Sequence, residues 1–176
     1  MMKSIVLGAG CFWCSEAVFS TIEGVRSTQP GYSGGTVENP SYERVCEGDT
    51  GHAEVTKVDY DNETITLEEL LDIFFYMHDP TSLNRQGEDV GEQYRSVIFY
   101  DDEKDREVIM RKLEEAQKDY PRMIVTAVER LRNFYPAEEY HKDYFRRNPG
   151  RPYCRAVIRP KVDKIRHKYN QILVRT

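Results

Sequence analysis

The sequence predicts an α+β fold: a two-layer sandwich with a ferredoxin-like core, followed by an extended C-terminal region. Two observations support this prediction. Short apolar or alternating runs typical of strands are interspersed with helical stripes in the order β-α-β-β-α-β. The chain has 176 residues, a length that suits one domain able to bury roughly 70% of its unfolded surface. We find no repeat or linker, so residues 1–176 are expected to form a single domain, with an irregular segment from about residue 133.

The first strand and helix meet at a glycine-rich junction. Residues 3–8 form an apolar run typical of a buried strand, and residues 12–22 follow with helical spacing until Gly24. A second strand is predicted from Val25 to about Tyr32. The junction between the first strand and the helix is therefore a sharp change of chain direction.

A loop and a third strand come next. The segment from Gly31 to Asp49 is rich in turn-forming residues and predicts a long surface loop, which in a compact domain is usually functional. Residues 52–60 alternate as a strand does, with Glu54 on the same face as Val58. A carboxylate on that otherwise apolar face is unusual.

The middle of the chain carries the clearest helix signal. Thr66 and Glu69 have the spacing of a capping box, and an apolar stripe follows until just before Pro80. The polar, glycine-containing segment from His78 to Gln93 predicts a second long loop. A further strand is expected at 94–100.

The C-terminal part has weaker patterns. Asp102 can cap a polar helix over residues 103–118, and residues 123–131 resemble a strand. Beyond them we expect a short helix at 137–145, a loop at 148–152 around Cys154, and a basic helix near 161–172.

Composition limits the functional classes. The formal net charge of -5 argues against general affinity for nucleic acid. The apolar start is too short for a signal peptide, and no run approaches a membrane span. Four cysteines in a chain of this size indicate redox or metal chemistry in a reducing compartment rather than a disulfide framework, so a cytoplasmic location is expected.

Cys11 is the expected reactive residue. It lies where the first strand enters the helix, and unpaired N–H groups at a helix N-terminus favour a thiolate. Phe12 and Trp13 beside it would suit the walls of an apolar pocket. Cys11 and Cys14 form a C-x-x-C, which by itself is compatible with a redox dithiol, half a zinc site or two buried thiols. Zinc would need ligands from distant residues, namely Cys46 with His52, or Cys154.

Several motifs together resemble the peptide methionine sulfoxide reductase A family. The resemblance runs in order from about residue 3 to Cys154 and rests on Gly10-Cys11-Phe12-Trp13, Gly31-Tyr32-Ser33-Gly34-Gly35, Gly51-His52-Ala53-Glu54, His78-Asp79-Pro80, Arg85-Gln86-Gly87-Glu88-Asp89-Val90-Gly91 and Gln93-Tyr94-Arg95-Ser96. It implies that Cys11 is the nucleophile and that Phe12 and Trp13 hold the S-methyl group of the substrate. The remaining roles that it implies are sulfoxide-oxygen ligands at Tyr42, Glu54 and Tyr94, an additional polar residue at Asp89, and a recycling cysteine at Cys154.

This resemblance is chemically coherent. A sulfoxide is a poor electrophile until its oxygen is protonated, and a buried Glu54 with a raised pKa could supply the proton. Oxygen would end on Cys11 as a sulfenic acid, which a second thiol condenses into a disulfide. Many relatives have a small residue where this chain has Cys14, so we expect Cys14, one turn away, to resolve first and Cys154 to act as relay or alternative.

The resemblance implies an enzyme without metal or other cofactor that reduces the S epimer of methionine sulfoxide, free or in oxidised proteins. Thioredoxin or a similar dithiol would recycle it, and a monomer is expected. His52 and His78 are expected to make structural hydrogen bonds, and Cys46 to be a spare thiol. Two alternatives remain: a general thiol–disulfide oxidoreductase using Cys11 and Cys14, and a zinc-stabilised module without catalytic activity.

Overall fold

A computed structural model describes residues 1–170 of the chain. Its strands are β1 (Met2–Ala9), β2 (Val25–Ser33), β3 (Ala53–Asp61), β4 (Arg85–Gln86), β5 (Asp89–Val90), β6 (Ser96–Tyr100), β7 (Ala127–Arg130) and β8 (Tyr135–Pro136). Its helices are α1 (Phe12–Phe19), α2 (Tyr42–Cys46), α3 (Leu67–Met77), α4 (Glu103–Gln117), α5 (Tyr144–Arg147) and α6 (Arg159–Lys168). Short 3-10 turns at Glu92–Tyr94 and Glu139–His141 and a π-helical turn at Cys154–Ile158 complete the described chain.

Six strands form one central sheet in the order β7-β6-β1-β3-β2-β8. The β6–β7 pair is parallel and the other pairs are antiparallel, so the sheet is mixed. Strands β4 and β5 form a separate small hairpin. The predicted α+β class is therefore confirmed at the level of a central mixed sheet with helices.

Alternation along the strands separates two apolar layers. Ile5 and Leu7 of β1 pack with residues of α1, α3 and α6 in the main core. The intervening Val6 packs on the opposite face with Val97 and Phe99, against Leu131 and Phe134. Successive strand side chains point to opposite faces, so each face of β1 is covered by a different part of the chain.

The predicted capping box of α3 is confirmed. The Thr66 hydroxyl accepts the Glu69 N–H at 3.1 Å, and the Glu69 carboxylate accepts the Thr66 N–H at 2.9 Å. Two otherwise unpaired N–H groups are thereby satisfied at the start of the helix. Helix α4 likewise begins after Asp102, whose carboxylate accepts the Lys104 N–H.

The two predicted loops contain regular structure. Within 31–49, β2 extends to Ser33 and α2 follows Ser41, whose hydroxyl accepts the Arg44 N–H. Within 78–93 lies the β4–β5 hairpin. Both elements are too short to show a hydrophobic period, so turn-forming residues dominated the sequence signal. The strand predicted from residue 94 begins at Ser96.

The C-terminal predictions were partly wrong. The helix predicted at 137–145 is interrupted, because Asp143 adopts a left-handed backbone with φ 53° and only α5 follows. Cys154, expected in a loop, instead begins the π-helical turn that leads into α6. The strand predicted at 123–131 is limited to β7 and the first helix ends at Phe19, while residues 171 and 172 of the predicted basic helix lie outside the described chain.

In the part of the chain that the structure describes, no helix is both long enough and apolar enough to cross a bilayer.

Gly31 offers a test of how β2 packs against β8. A Cβ atom at this position would lie 2.6 Å from the Phe134 ring and 2.6 Å from the Tyr135 carbonyl oxygen. We therefore expect Gly31→Ala to lower the free energy of unfolding by roughly 1–3 kcal/mol, measured by urea denaturation. Gly150→Ala is the matched control, because a Cβ there meets no atom within 4 Å. Equal unfolding midpoints for both variants would contradict the packing described for β2.

Candidate active site

Cys11 occupies the N-cap of α1, immediately after β1. Its carbonyl accepts the N–H groups of Cys14 at 3.1 Å and Ser15 at 3.4 Å, so the helix starts directly from this residue. Gly10 precedes it with φ 89°, a conformation that glycine adopts readily. The predicted position of this thiol at the strand-to-helix junction is therefore confirmed.

Glu54 lies beside this junction, on the central strand β3. One carboxyl oxygen, Oε1, accepts the backbone N–H of Phe12 at 3.1 Å. The other, Oε2, is buried and has no hydrogen-bond partner within the described residues. The side chain is only 1% exposed. The residues next to Cys11 and the carboxyl group thus share one buried site, with one oxygen left over.

Burial decides the protonation state of Glu54. Removal from water raises its pKa to about 8, with smaller contributions from the charges of Asp89 and Cys14, while the Phe12 N–H acts in the opposite direction. Below pH 8 the neutral acid therefore predominates. A neutral carboxyl group with a free oxygen can donate a proton to a bound ligand.

Two tyrosines lie near enough to the Glu54 carboxyl group for its charge to affect their pKa. Tyr42 is the first residue of α2, and its ring stacks on Phe12 with centroids 6.4 Å apart. Tyr94 ends the 3-10 turn before β6. Burial raises the pKa of both hydroxyls, and the nearby charge of Glu54 adds to the shift. Both side chains therefore remain neutral hydrogen-bond donors at physiological pH.

The two thiols of the C-x-x-C shift each other's pKa in opposite directions. Burial raises the pKa of Cys11, and the contact with Cys14 and the charge of Glu54 raise it further. The neighbouring Cys11 thiol instead lowers the pKa of Cys14 to about 7 against the effect of burial, and the charge of Lys161 lowers it further. The sequence predicted that the helix N-terminus favours a thiolate at Cys11. The structure differs because desolvation outweighs the helix N-terminus at Cys11.

A third polar group extends from Cys14. The Tyr153 hydroxyl donates to Asp89 Oδ2 at 2.8 Å and lies 3.8 Å from the Cys14 sulfur. Asp89 is on the β4–β5 hairpin, which brings this part of the second predicted loop to the site. The contact of Asp89 with the C-terminal region was not apparent from the sequence.

Trp13 is covered by the C-terminal segment. Its indole N–H donates to His141 Nδ1 at 3.0 Å, and its ring stacks on Tyr144 with centroids 3.7 Å apart. Tyr153 meets the same ring edge-on. Phe12 is fully buried against Tyr32, so in this arrangement Trp13, which is only partly buried, is the more accessible of the two predicted pocket walls.

His141 is a site residue that the sequence did not identify. It is fully buried, its ring lies 4.6 Å from that of Tyr42, and its Nε2 has no hydrogen-bond partner in the described chain. Because Nδ1 accepts from Trp13, Nε2 carries the proton and is a second unused donor. The available signal was the aromatic content of 134–153, which lacks the period of a core helix.

The remaining cysteines and histidines have separate positions. Cys154 is buried in the same core cluster as Cys11 and Cys14, and burial raises its pKa. Cys46 is exposed. His52 accepts the Gly35 N–H at Nδ1 and its Nε2 bonds the Val37 carbonyl.

His78 makes the structural hydrogen bonds that were expected of it. Its ring nitrogens bond the Phe74 carbonyl and the Ser96 hydroxyl, and burial lowers its pKa to about 4. It therefore remains neutral at physiological pH. Within residues 1–170, no group of three or more His, Cys, Asp and Glu side chains could hold a metal ion.

The chain is similar to known proteins along nearly its whole length. The family model described as peptide methionine sulfoxide reductase matches residues 3–173. A relative from Nautilia profundicola, peptide methionine sulfoxide reductase MsrA, is 55% identical, and the match covers 93% of this chain and 94% of the relative.

Solved structures agree with this match. Reduced Mxr1 from Saccharomyces cerevisiae is 40% identical, with a TM-score of 0.83 over 87% of this chain and 89% of that one. Mxr1 in complex with Trx2 is 29% identical, with a TM-score of 0.59 over 81% and 84% of the two chains. The thiol pair beside a buried acid, the match over nearly the whole chain and the relative at 55% identity lead to one conclusion: the chain belongs to the peptide methionine sulfoxide reductase family.

Proposed function

We propose that the protein reduces methionine S-sulfoxide to methionine, using Cys11 as nucleophile and Glu54 as acid. One observation carries the proposal: the buried carboxyl group of Glu54 bonds the backbone N–H of Phe12, next to Cys11, and has a second oxygen free. A thiol and a neutral acid in one water-poor site are what attack on a sulfoxide requires. Family membership supports the same activity.

In the first step the Cys11 sulfur attacks the sulfoxide sulfur while Glu54 donates a proton to its oxygen. Tyr42 and Tyr94 hydrogen-bond that oxygen, and Trp13, with Phe12 behind it, contacts the methyl group. The proton of Cys11 passes to the Cys14 thiolate, which the low pKa of Cys14 makes available near neutral pH. The sulfoxide oxygen is transferred to Cys11, so methionine leaves and a Cys11 sulfenic acid remains.

In the second step Cys14 resolves the sulfenic acid. Its sulfur attacks that of Cys11, the S–O bond breaks, and the oxygen leaves as water, giving a Cys11–Cys14 disulfide. The position of Cys14 in the first turn of α1, one turn after Cys11, and its lowered pKa support this order. Asp89 orients Tyr153 against Cys14. Cys154, buried in the same cluster, acts as relay or alternative resolving thiol.

In the third step an external dithiol reduces the disulfide. Thioredoxin is the proposed reductant, because the related Mxr1 has been solved in complex with Trx2. The balance is one sulfoxide and two thiols converted to one thioether, one disulfide and one water. Neither a metal nor another cofactor takes part in this scheme. The substrates are free methionine sulfoxide and oxidised proteins, as in protein repair under oxidative stress.

We also propose the finer architectural and cellular assignments. The order β6-β1-β3-β2 with antiparallel pairing supports a ferredoxin-like core, and residues 1–176 are assigned to one catalytic domain. Four free cysteines suit a reducing compartment, which supports a location in the cytoplasm. The protein is assigned as a monomer.

The function is tested by turnover of the separated sulfoxide epimers with dithiothreitol. We expect the wild type to reduce only the S epimer and Cys11→Ser to be inactive. Exchange of unrelated disulfides without sulfoxide turnover would favour the general oxidoreductase instead. Stoichiometric zinc with no turnover would favour the non-catalytic module.

The pH dependence tests Glu54 as the acid. The protonated form is present below its pKa of about 8 and is lost above it, so the wild-type kcat/KM should fall on the alkaline side. Glu54→Gln cannot donate a carboxyl proton, so we expect a rate about 100-fold lower and no alkaline fall. The same alkaline fall in this variant would assign it to another group.

The resolving step can be trapped after one turnover without added reductant. We expect the wild type to form one disulfide. Cys14→Ser lacks the thiolate that accepts the Cys11 proton, so it should react more slowly and then accumulate a sulfenic acid that dimedone labels, read by mass spectrometry. Cys46→Ser is the control, because Cys46 lies outside the thiol pair, and it should match the wild type. A wild-type yield of disulfide from Cys14→Ser would remove Cys14 as first resolver.

A further inference from the structure

Glu16 is a buried carboxylate on α1 for which the proposed chemistry has no role. It is 2% exposed, and both of its oxygens are hydrogen-bonded. Oε1 accepts the backbone N–H of Asp143 at 2.8 Å, and Oε2 accepts the Thr28 hydroxyl at 3.1 Å. Burial of a carboxylate costs free energy unless hydrogen bonds compensate for it, and Glu16 makes two such bonds.

The backbone N–H that Glu16 accepts belongs to Asp143, which lies at a sharp bend of the C-terminal segment. Asp143 has a left-handed backbone, with φ 53° and ψ 33°, which a residue with a side chain adopts reluctantly. His141 precedes the bend and accepts the Trp13 indole N–H, while Tyr144 follows it and stacks on the Trp13 ring. Both arms of the bend therefore lie against one side chain.

Trp13 and Glu16 are three residues apart on α1 and so are neighbours on the helix surface. The same turn of helix thus contacts the segment 141–144 twice. Trp13 contacts both arms of the bend, and Glu16 bonds its apex. An acceptor fixed at the apex holds a strained backbone that would otherwise relax away from the indole.

We propose that Glu16 is a positioning residue that holds the bend at Asp143 closed over Trp13 and so shapes the wall of the methyl-binding pocket. This inference rests on the proposed function for the identity of the pocket, but the contact itself can be tested without turnover. The hydrogen-bond acceptor is the essential feature of Glu16, so glutamine should replace it and an apolar side chain should not.

Trp13 is the only tryptophan in the chain, so intrinsic fluorescence reports on this one contact. At pH 8, above the pKa of about 7 that burial gives Glu16, we compare the wild type, Glu16→Leu and Glu16→Gln. Glu16→Leu should shift the emission to the red and make it more accessible to acrylamide. KM for methionine S-sulfoxide should rise about tenfold, the effect of losing one hydrogen bond to a charged group. The single-turnover rate at saturating substrate should remain within about twofold of the wild type.

Two further variants sharpen the comparison. Glu16→Gln keeps an oxygen for the Asp143 N–H and should match the wild type in emission and KM. Thr28→Val removes only the second hydrogen bond of Glu16 and should also match. Asp143→Gly keeps the backbone N–H at position 143 and adopts the positive φ without strain, so alone it should match the wild type. Combined with Glu16→Leu, it should restore much of the wild-type emission, because a relaxed bend no longer needs the acceptor.

The results separate this inference from the proposed function. Wild-type emission in Glu16→Leu, no recovery of emission in the Glu16→Leu/Asp143→Gly double variant, or equal impairment in Glu16→Gln and Glu16→Leu would overturn the positioning role. Absence of sulfoxide turnover by the wild type would overturn the proposed function and leave the fluorescence comparison valid.

Discussion

The hydrogen bond from the Phe12 N–H to Glu54 is the interaction on which the site depends. It joins the first residue of α1 to the central strand β3, and it fixes the acid beside the thiol at the end of β1. One hydrogen bond cannot compensate fully for burying a carboxylate, so Glu54 takes up a proton instead. The same burial that makes Glu54 an acid also raises the pKa of Cys11. In the proposed mechanism the nucleophile Cys11 and the proton donor Glu54 have opposing requirements, so both depend on Cys14, which takes the negative charge of the thiol pair.

The fold explains why these groups meet. β1 and β3 are adjacent and antiparallel, so the end of β1 and the start of β3 lie at the same end of the strands. Residues from distant parts of the chain enclose that end of the sheet. They are Tyr42 from α2, Asp89 from the small hairpin, and His141 and Tyr144 from the C-terminal segment. The segment covers Trp13 through a stacked ring and a hydrogen bond, and Glu16 anchors its bend. The side chains around the thiol pair are therefore held in place by contacts outside the sheet.

Strong local signals made the core and the central site predictable from the sequence. The capping box of Thr66, the alternation around Glu54 and the glycines before Cys11 each specify a local geometry that the structure has. The C-terminal region was predicted poorly for physical reasons. Asp143 takes a left-handed conformation that its residue type does not require, and the rings of Phe12 and Tyr42 that enclose His141 come from residues more than 90 positions away. Likewise, the pKa of Cys14 is lowered chiefly by the nearby Cys11, but also by Lys161 and Tyr153, which approach it through tertiary contacts alone.

The central claim is that burial keeps Glu54 protonated at neutral pH beside a thiol. The most direct test is a titration of the Glu54 carboxyl group itself, followed by infrared difference spectroscopy and assigned with the Glu54→Gln variant. We expect a carboxylic acid band that disappears with a midpoint near pH 8. A midpoint near the ordinary glutamate pKa of about 4.3 would contradict it, because Glu54 would then be an anion with no proton to give the sulfoxide oxygen.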